Sequence, residues 1–280
     1  MHQSILVTGA SRGIGEATAV HLAHKGFRVY AAARQIDKLN ELSALGSGRI
    51  HPIALDVTDP ASIDNAIERI NADGNTLYGL VNNAGTSIIG PFEDLSLDDW
   101  RDQFEVNLFG LVAMTRAVLP QMREAGRGRI INIGSISGRI AAAFQSPYAA
   151  SKHAVEGLSD SLRREVMPHG IKVSVIRPVF INTDMGKQQQ DRLEEYSSTG
   201  PYADQVRTFK AWHAKGHPSA PSPSIVAEAV HNALTADRPY SRYTVPQSKL
   251  GLLALRNFMP SGVIDRMYER VTGLDRFRKR

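Results

Sequence analysis

Short apolar segments alternate with longer stretches of helical periodicity along most of the chain. Seven of these segments have the composition of strands: SILVTG, FRVYAAA, RIHPIAL, LYGLVNNAG, GRIINIGS, IKVSVIRP and RYTVP. Apolar side chains on both faces of a strand are typical of a parallel sheet that helices cover on each side. The pattern predicts an α/β fold in one domain over residues 1–280, a doubly wound parallel seven-stranded sheet with helices on both faces.

Two parts of the chain break this alternation. Residues 182–224 are polar and irregular and contain the run HPSAPSPS. Connections of this length are usually functional lids or disordered, so we expect a substrate lid at about 182–224. The segment KLGLLALRNFMPSGVIDRMYERVTGL predicts two short amphipathic helices broken at residues 260–262. These helices form a C-terminal extension at about 247–280.

The amino-acid composition excludes several kinds of functional site. The chain has no cysteine, which excludes disulfides, iron–sulfur clusters, thiolate zinc sites and a cysteine nucleophile. No apolar run reaches the roughly 18 residues of a membrane span, and the first residues lack the basic region of a signal peptide. We therefore expect a cytoplasmic protein without an integral membrane segment.

The net charge of +5 is concentrated partly in the terminal run DRFRKR. Such a cluster is typical of a solvated tail, with contact to nucleic acid or to an anionic membrane as the alternative. The basic residues are not interleaved with aromatic ones, so we expect no nucleic-acid partner. His213 and His217 have the spacing of metal ligands, but Gly216 and Pro218 disfavour a helix there. Because no third ligand is evident, we expect no metal.

The run ILVTGASRGIGEA leads from the first strand into the first helix. Gly9, Gly13 and Gly15 permit positive φ angles and a close approach of the backbone. The free N–H groups of the helix behind them can hold a pyrophosphate. The spacing differs from the usual G-x-G-x-x-G, but its place at the first strand–helix junction favours a dinucleotide site in a Rossmann fold over a simple turn.

The end of the second strand bears on the choice of cofactor. An NAD-selective site places an acid about 20 residues past the glycines, on the ribose 2′-hydroxyl. Ala33 and Arg34 occupy the matching positions here, and no acid follows before Asp37. Arg34, helped by Arg12, can instead bind a 2′-phosphate, so we expect NADP(H). The alternative is a solvated arginine at a helix start.

The run SPYAASKHAVEG predicts the start of a helix, with Ser146 as its cap and Pro147 in its first turn. Tyr148 and Lys152 lie four residues apart and therefore on one face of that helix. An ammonium group beside a phenol lowers the tyrosine pKa, because it favours the phenolate. The two residues are either an acid–base pair or an exposed lysine beside a half-buried tyrosine.

Other polar residues fall at the predicted carboxyl ends of strands. Asp56 follows the third strand, Asn82 and Asn83 end the fourth, and Ser135 follows the fifth. Asn107 lies in the middle of an otherwise apolar helix, where a buried and unpaired amide is costly. We therefore expect its amide to have a specific partner, such as a structural water.

Together, TGASRGIG, LDVTD, NNAG, Asn107, Ser135, and Tyr148 with Lys152 resemble the short-chain dehydrogenase/reductase family over about residues 4–184. The resemblance implies that Tyr148 is the acid in reduction and the base in oxidation. It implies that Lys152 lowers the pKa of Tyr148 and binds the nicotinamide ribose. Ser135 would hold the substrate oxygen, and Asn107 a water in the proton relay.

The resemblance also implies contacts to cofactor, substrate and a second subunit. The expected cofactor contacts are Gly9, Ser11, Arg12, Gly13, Ile14, Gly15, Arg34, Asp56, Val57, Asn83, Ala84, Gly85, Tyr148, Lys152, Pro178, Val179, Ile181 and Thr183. The expected substrate contacts are Ser135, Phe144, Tyr148, Val179 and Met185. Helices predicted at 96–123 and 147–168 would pair with their copies in a homodimer or homotetramer.

One departure is Val179, which stands where the family usually has glycine after proline. A β-branched residue there restricts the backbone and adds bulk near the nicotinamide.

An apolar pocket suits a hydrophobic ketone or aldehyde and its alcohol. The lid offers Met185, Tyr196, Tyr202, Phe209 and Trp212. Its aromatic side chains either line that pocket or only pack the lid down. The long tail resembles steroid- and retinol-type members of the family. The sequence therefore predicts an NADP(H)-dependent oxidoreductase, a ketone reductase, with a non-catalytic NADP(H)-binding regulatory module as the alternative.

Overall fold

A parallel sheet forms the centre of the molecule. The computed structural model describes residues 3–196, 198–216, 220–251 and 259–278. In these parts of the chain, seven strands form one sheet in the order β3-β2-β1-β4-β5-β6-β7. The strands are β1 (Ser4–Thr8), β2 (Arg28–Ala33), β3 (Ile50–Ala54), β4 (Leu77–Asn82), β5 (Gly128–Ile133), β6 (Ile171–Pro178) and β7 (Arg242–Val245). The predicted seven-stranded parallel sheet is confirmed.

Helices cover both faces of this sheet, because successive strand residues point to opposite sides. Ile5 packs in a core with Leu22 and Val226 on one face, whereas Leu6 packs with Leu80 and Met114 on the other. The helices are α1 (Gly13–His24), α2 (Ile36–Ser43), α3 (Pro60–Ala72), α4 (Leu97–Phe104), α5 (Gly110–Glu124), α6 (Ser146–Val166), α7 (Asp184–Glu195), α8 (Ala203–Gly216), α9 (Ser224–Thr235) and α10 (Ser261–Thr272).

The strand order reverses between β1 and β4, which places the ligand crevice. The chain runs outward from β1 to β3 and returns to build β4 to β7 on the other side of β1. In doubly wound sheets, the crevice opens at the carboxyl ends of the strands flanking this point. At the end of β4, Asn82 links this strand to its neighbours by donating hydrogen bonds to Asn132 Oδ1 at 2.9 Å and Thr115 Oγ1 at 3.0 Å.

The predicted lid differs from its expected irregular form. Two helices, α7 and α8, occupy most of residues 182–224. Helix α7 is mostly polar and buries few side chains, so few apolar residues mark it in the sequence. It is held by a small core in which Leu193, Val206 and Phe209 are buried with Ile89 of the loop after β4. Tertiary packing, rather than helix pattern, orders this segment.

Two other helices differ in detail from the prediction. The helix predicted at 96–123 contains a π-helical turn, Glu105–Phe109, between α4 and α5. Ser146 is the first residue of α6 rather than its cap, and Gln145 at the cap position makes no side-chain capping bond within the described structure. Of the two predicted tail helices, the second is α10, and most of the first lies outside the described residues.

Two features are absent from the described residues. No helix among them is long and apolar enough to cross a membrane. They also contain no group of three or more histidine, aspartate or glutamate side chains placed to hold a metal ion. His217 of the predicted histidine pair lies outside the described part of the chain.

Candidate active site

A cavity of about 950 Å³ runs along the carboxyl edge of the sheet. Its walls include the glycine turn after β1, the ends of β2 to β6, the lid helices and α10. One continuous space therefore joins the predicted dinucleotide site to the predicted substrate pocket.

The glycine turn packs directly against the end of β4. Gly9 and Gly13 have φ angles of +64° and +61°, which side-chain-bearing residues rarely adopt. A Cβ atom on Gly15 would lie 2.3 Å from the Gly9 carbonyl oxygen and 2.4 Å from Asn83 Nδ2. Asn83 fixes the turn by donating from Nδ2 to the carbonyl oxygens of Thr8 at 2.9 Å and Gly9 at 3.1 Å. Only glycine fits this arrangement.

The N-terminus of α1 is open toward the cavity, where Gly13 and Ile14 form part of the wall. Within the described structure, Arg12 at the cap position gives α1 no side-chain capping bond. The first N–H groups of a helix need partners, and they favour an anion. These residues therefore fit the pyrophosphate of a dinucleotide.

Arg34 and Asp56 lie side by side at the cavity wall. Arg34 Nη1 is 4.0 Å from Asp56 Oδ2, and the Arg34 side chain is 79% exposed. Asp56 Oδ1 accepts hydrogen bonds from Thr58 N at 3.0 Å and Thr58 Oγ1 at 2.7 Å. Burial opposes ionisation of Asp56, but the Thr58 hydrogen bonds and the Arg34 charge together lower its pKa. The carboxylate is thus engaged, while the guanidinium remains accessible from the cavity.

Ser135, Tyr148 and Lys152 come together at the end of β5. Ser135 Oγ accepts the Ser137 N–H at 3.1 Å, and its side chain also hydrogen-bonds the Tyr148 side chain. Lys152 Nζ lies 5.8 Å from the centre of the Tyr148 ring and donates to the Ile133 carbonyl oxygen at 2.8 Å. All three side chains are buried and line the cavity.

The pKa of Tyr148 shifts in the direction opposite to the sequence-based prediction. Burial raises this pKa, and the hydrogen bond with Ser135 offsets only part of the rise. Burial also lowers the pKa of Lys152 to about 8. The prediction was wrong for Tyr148 because desolvation outweighs the proximity of the Lys152 ammonium, which is directed at the Ile133 carbonyl.

Asn107 has a structural reason for its place in the π-helical turn. Its Oδ1 accepts the Thr86 N–H at 2.8 Å, and its Nδ2 donates to the Thr86 carbonyl at 3.0 Å and to Ser151 Oγ at 3.2 Å. Ser151 in turn donates to the Tyr148 carbonyl oxygen at 2.8 Å. Asn107 therefore connects the loop after β4 to the helix turn that carries Tyr148. Its role in holding a water of the proton relay stays a prediction.

Gln103, which the sequence reasoning missed, holds the same loop. This fully buried side chain accepts the Ile88 N–H at 2.7 Å and donates to the Thr86 carbonyl oxygen at 2.9 Å. Its position four residues before Asn107, on the same helix face, was an available signal.

The chain matches a known protein family over more than half of its length. Residues 3–194 match the family model described as short chain dehydrogenase. The chain belongs to this family. It is therefore an oxidoreductase acting on CH–OH or C=O groups. The uncharacterized oxidoreductase YbbO of Escherichia coli K12 is 33% identical over 270 residues, which cover 96% of this chain and 95% of that protein. Human retinol dehydrogenase 5 is 34% identical over 275 residues, covering 93% and 86% of the two chains.

The fold of this chain is also similar to those of solved dehydrogenase structures. A short-chain dehydrogenase from Streptomyces avermitilis has a TM-score of 0.78 and 31% identity, covering 99% of this chain and 97% of that one. The closed form of a serine dehydrogenase complexed with NADP⁺ has a TM-score of 0.75 and 29% identity, covering 87% and 94%.

Most of the expected contacts of this short-chain dehydrogenase line the cavity. They are Gly9, Ser11, Arg12, Gly13, Ile14, Arg34, Asp56, Val57, Asn83, Ala84, Gly85, Ser135, Tyr148, Lys152, Pro178, Val179, Ile181, Thr183 and Met185. Gly15 and Asn107 lie behind this wall and support it. Phe144 is also placed outside the wall, because its ring packs against Phe209 in the lid core at 5.4 Å between centroids.

The β6–α7 connection places an unexpected aromatic residue in the wall. Val179 is buried, and its N–H donates to the Val245 carbonyl oxygen at 2.8 Å. Phe180 has a φ angle of +46°, which is unfavourable for a residue with a side chain. Its ring contacts Trp212 and His213 of α8 at centroid distances of 6.0 and 5.7 Å. His213 also hydrogen-bonds Gln190 of α7.

The tail of this short-chain dehydrogenase forms another part of the wall. The α10 residues that line the cavity are Ile264, Met267, Tyr268 and Val271. Tyr268 Oη accepts the Ala143 N–H at 2.8 Å, and the Tyr268 ring lies 6.3 Å from that of Trp212. The amphipathic pattern of the tail predicted this helix, but no pattern in the sequence indicated which face would meet the cavity.

The lid is attached to the loop after β4. Gln189 of α7 donates to Ser87 Oγ at 2.6 Å, and Arg192 forms an ion pair with Asp99 at 3.0 Å. Among the lid residues named from the sequence, Met185 and Trp212 line the cavity, whereas Tyr196, Tyr202 and Phe209 pack in the lid core. One of the lid aromatics, Trp212, thus lines the pocket, and the others only pack the lid down.

Proposed function

We propose that this short-chain dehydrogenase uses NADP(H) to interconvert a hydrophobic ketone or aldehyde and its alcohol. One observation carries the proposal. The hydrogen-bonded side chains of Ser135 and Tyr148 face the same cavity as the glycine turn and a largely apolar wall. A carbonyl group placed there would meet a hydroxyl donor and a proton source beside a dinucleotide site.

The preference for NADP(H) rests on Arg34 and Arg12, which both line the cavity. A guanidinium group binds a phosphate through paired, charge-assisted hydrogen bonds. Asp56 would meet the adenine amino group, and its carboxylate would repel a 2′-phosphate if Arg34 did not lie beside it. The structural relative complexed with NADP⁺ agrees with the proposal.

The remaining contacts divide among the parts of the cofactor. The glycine turn, with Ser11 and Ile14, would hold the pyrophosphate. Val57 would lie at the adenine, and Lys152 would hold the nicotinamide ribose. The further contacts proposed for the nicotinamide end are Asn83, Ala84, Gly85, Pro178, Val179, Ile181 and Thr183. When bound, the cofactor supplies or accepts the hydride.

In this proposal Tyr148 protonates the substrate oxygen, and Ser135 hydrogen-bonds to it. The raised pKa of Tyr148 keeps its hydroxyl protonated at neutral pH, so in reduction it can give that proton to the carbonyl oxygen. Ser135 Oγ accepts from Ser137 N and retains its own hydroxyl proton for a hydrogen bond to the substrate oxygen or Tyr148. The ammonium of Lys152, near the ring, stabilises the phenolate that remains. In oxidation the same phenolate would be the base.

The substrate class follows from the chemistry of the wall. The apolar side chains on the substrate side include Ile140, Ala142, Met185, Phe180, Trp212, Met267 and Val271. Such a wall favours a substrate with a sizeable apolar body, since burial of apolar surface contributes about 25 cal/mol per Å². Likeness to a protein named retinol dehydrogenase 5 is consistent with this class.

A substrate panel tests the proposal. NADPH consumption would be followed with steroids, aryl ketones, terpenoids and short β-keto esters, each repeated with NADH. We expect turnover of the bulky apolar carbonyls, with a lower KM for NADPH than for NADH. Tight NADPH binding without turnover on any carbonyl would favour the binding-module alternative.

Self-association is a further part of the proposal. Leu97 at the start of α4 is 72% exposed, and Phe92 and Phe109 are also exposed. Leu97 and Phe109 on the predicted dimer helix, with Phe92 just before it, support a homodimer or homotetramer. A cytoplasmic location stays a prediction.

A further inference from the structure

A buried ion pair lies behind the cavity wall of this enzyme. Glu156, one helical turn after Lys152 on α6, is 5% exposed, and Arg177 at the end of β6 is 7% exposed. Arg177 donates from Nε to Glu156 Oε1 at 2.6 Å and from Nη2 to Glu156 Oε2 at 2.8 Å. Arg242 of β7 donates from Nε to Glu156 Oε2 at 3.0 Å. The carboxylate is therefore fully engaged by two strands.

The Glu156 side chain lies next to the segment that carries Ser135. A Cβ atom added to Gly134 would lie 3.8 Å from Glu156 Oε1. A Cβ atom on Gly138 would lie 3.3 Å from Glu156 Cγ and 2.7 Å from the Lys152 carbonyl oxygen. Gly138 thus packs against the helix backbone and the Glu156 side chain, and Gly134 lies beside the Glu156 carboxylate.

Arg177 extends these contacts to the cofactor side. It immediately precedes Pro178 and Val179, which line the cavity. Glu156 thus belongs to the helix that carries Tyr148 and Lys152, is hydrogen-bonded to the end of β6, and lies beside the turn after β5. Among the described residues that line the cavity, neither Glu156 nor Arg177 is found, so neither is placed to touch a ligand.

We infer that the Glu156–Arg177 pair is a positioning device, which sets the Ser135 turn and the Pro178–Val179 segment relative to Tyr148 and Lys152. The inference rests on the function proposed above. A planar guanidinium with two parallel hydrogen bonds fixes both distance and angle. Burial removes the water that could replace either bond. A misplacement of about 1 Å far from the reacting atoms can cost about a hundredfold in rate, so this constraint matters for turnover.

Asp160 offers a matched control on the same helix. It lies one turn beyond Glu156 and also accepts from Arg242, through Nη2 at 2.6 Å, but its side chain is 30% exposed. Its other partner is Arg163 at 2.5 Å. Asp160→Asn therefore removes a carboxylate from the same ionic group without touching the catalytic segments.

The test measures kcat, KM and NADPH affinity for Glu156→Gln, Arg177→Lys, the double change to Met at both positions, and Asp160→Asn. Removing both charges avoids a lone buried ion, which is the main reason for single variants to unfold. We expect kcat to fall at least about tenfold in the double variant, while NADPH affinity changes less than about threefold. Arg177→Lys should fall between this variant and the unaltered chain, because lysine keeps the charge but not the paired geometry.

A second measurement does not depend on activity. Amide hydrogen exchange in residues 134–138 and 178–180 should be faster in the double variant than in Asp160→Asn. A folded double variant with unaltered kcat and unaltered exchange at both segments would overturn the inference. If the unaltered chain reduces no carbonyl, the proposed function is wrong, and exchange alone then decides whether the pair positions these segments.

Discussion

Replacing Arg34 with alanine should separate the two nicotinamide cofactors. The Arg34 side chain is 79% exposed and lies 4.0 Å from Asp56, at the wall of the cavity. Alanine removes the guanidinium and leaves the Asp56 carboxylate in place. A 2′-phosphate would lose its cation and meet an unshielded anion, whereas a 2′-hydroxyl would lose little.

The size of the effect follows from the exposure of the side chain. A hydrogen bond to a charged group contributes about 1.5–3 kcal/mol. Solvent screens an exposed pair, so we take the lower part of this range, about 1.5–2 kcal/mol. This free energy corresponds to a roughly 10–30-fold higher Kd for NADPH. The Kd for NADH should change by less than about twofold on the same reasoning.

The assay is a fluorescence titration of both cofactors at low and high salt. Lys38→Ala is the matched control, since Lys38 is an exposed cation of the neighbouring helix α2 outside the cavity wall. It reports any general effect of charge on a polyanionic ligand. Equal weakening of NADPH and NADH in Arg34→Ala, or equal Kd values for both in the unaltered chain, would refute the assignment.

Four other outcomes are expected. Tyr148→Phe should reduce turnover at least about a hundredfold with NADPH affinity nearly intact, and substantial activity in this variant would place the proton donor elsewhere. Ser135→Ala should lower turnover with a similarly small effect on NADPH binding. Because burial lowers the pKa of Lys152 to about 8, its ammonium is lost as pH rises through that value. Carbonyl reduction should therefore fall above pH 8, and a rate that is flat from about pH 7 to about pH 10 would contradict this role. Hydrogen exchange in residues 182–224 should slow when cofactor and substrate are both bound, and no change would count against a lid. Light scattering at micromolar concentration should give at least a dimer, which Leu97→Glu should weaken; a monomeric mass for the unaltered chain would defeat the prediction.

The strands and the order of motifs could be predicted because they depend on local patterns. Each strand is a continuous apolar run, and the polar residue after it must lie at the carboxyl edge in any doubly wound sheet. Ser135 and Tyr148 could therefore be placed at one edge without coordinates. Helix α7 could not be predicted in the same way, since its order comes from a core shared with Phe209 and Ile89.

Electrostatics and side-chain partners depend on burial, which the sequence does not specify. The spacing of Tyr148 and Lys152 indicates proximity, but the direction of the tyrosine pKa shift follows from desolvation of both groups. Asn107 was expected to need a partner, yet its partner, the Thr86 backbone, is 21 residues distant and is brought near by a π-helical turn. Phe144 is apolar and adjacent to catalytic segments, but packing turns it toward the lid core.

The tail helix α10 bears on how such an enzyme could diversify. It follows every catalytic residue in the chain, and it reaches the pocket through side chains that take no part in proton transfer. One of its attachments is the hydrogen bond from the Ala143 N–H to Tyr268 Oη, and another joins Arg276, just beyond it, to Thr208 of α8. Changes in the sequence of α10 can thus reshape the pocket while the chemistry stays constant. New substrates could be acquired by exchanging this helix, Ser261–Thr272, between related enzymes.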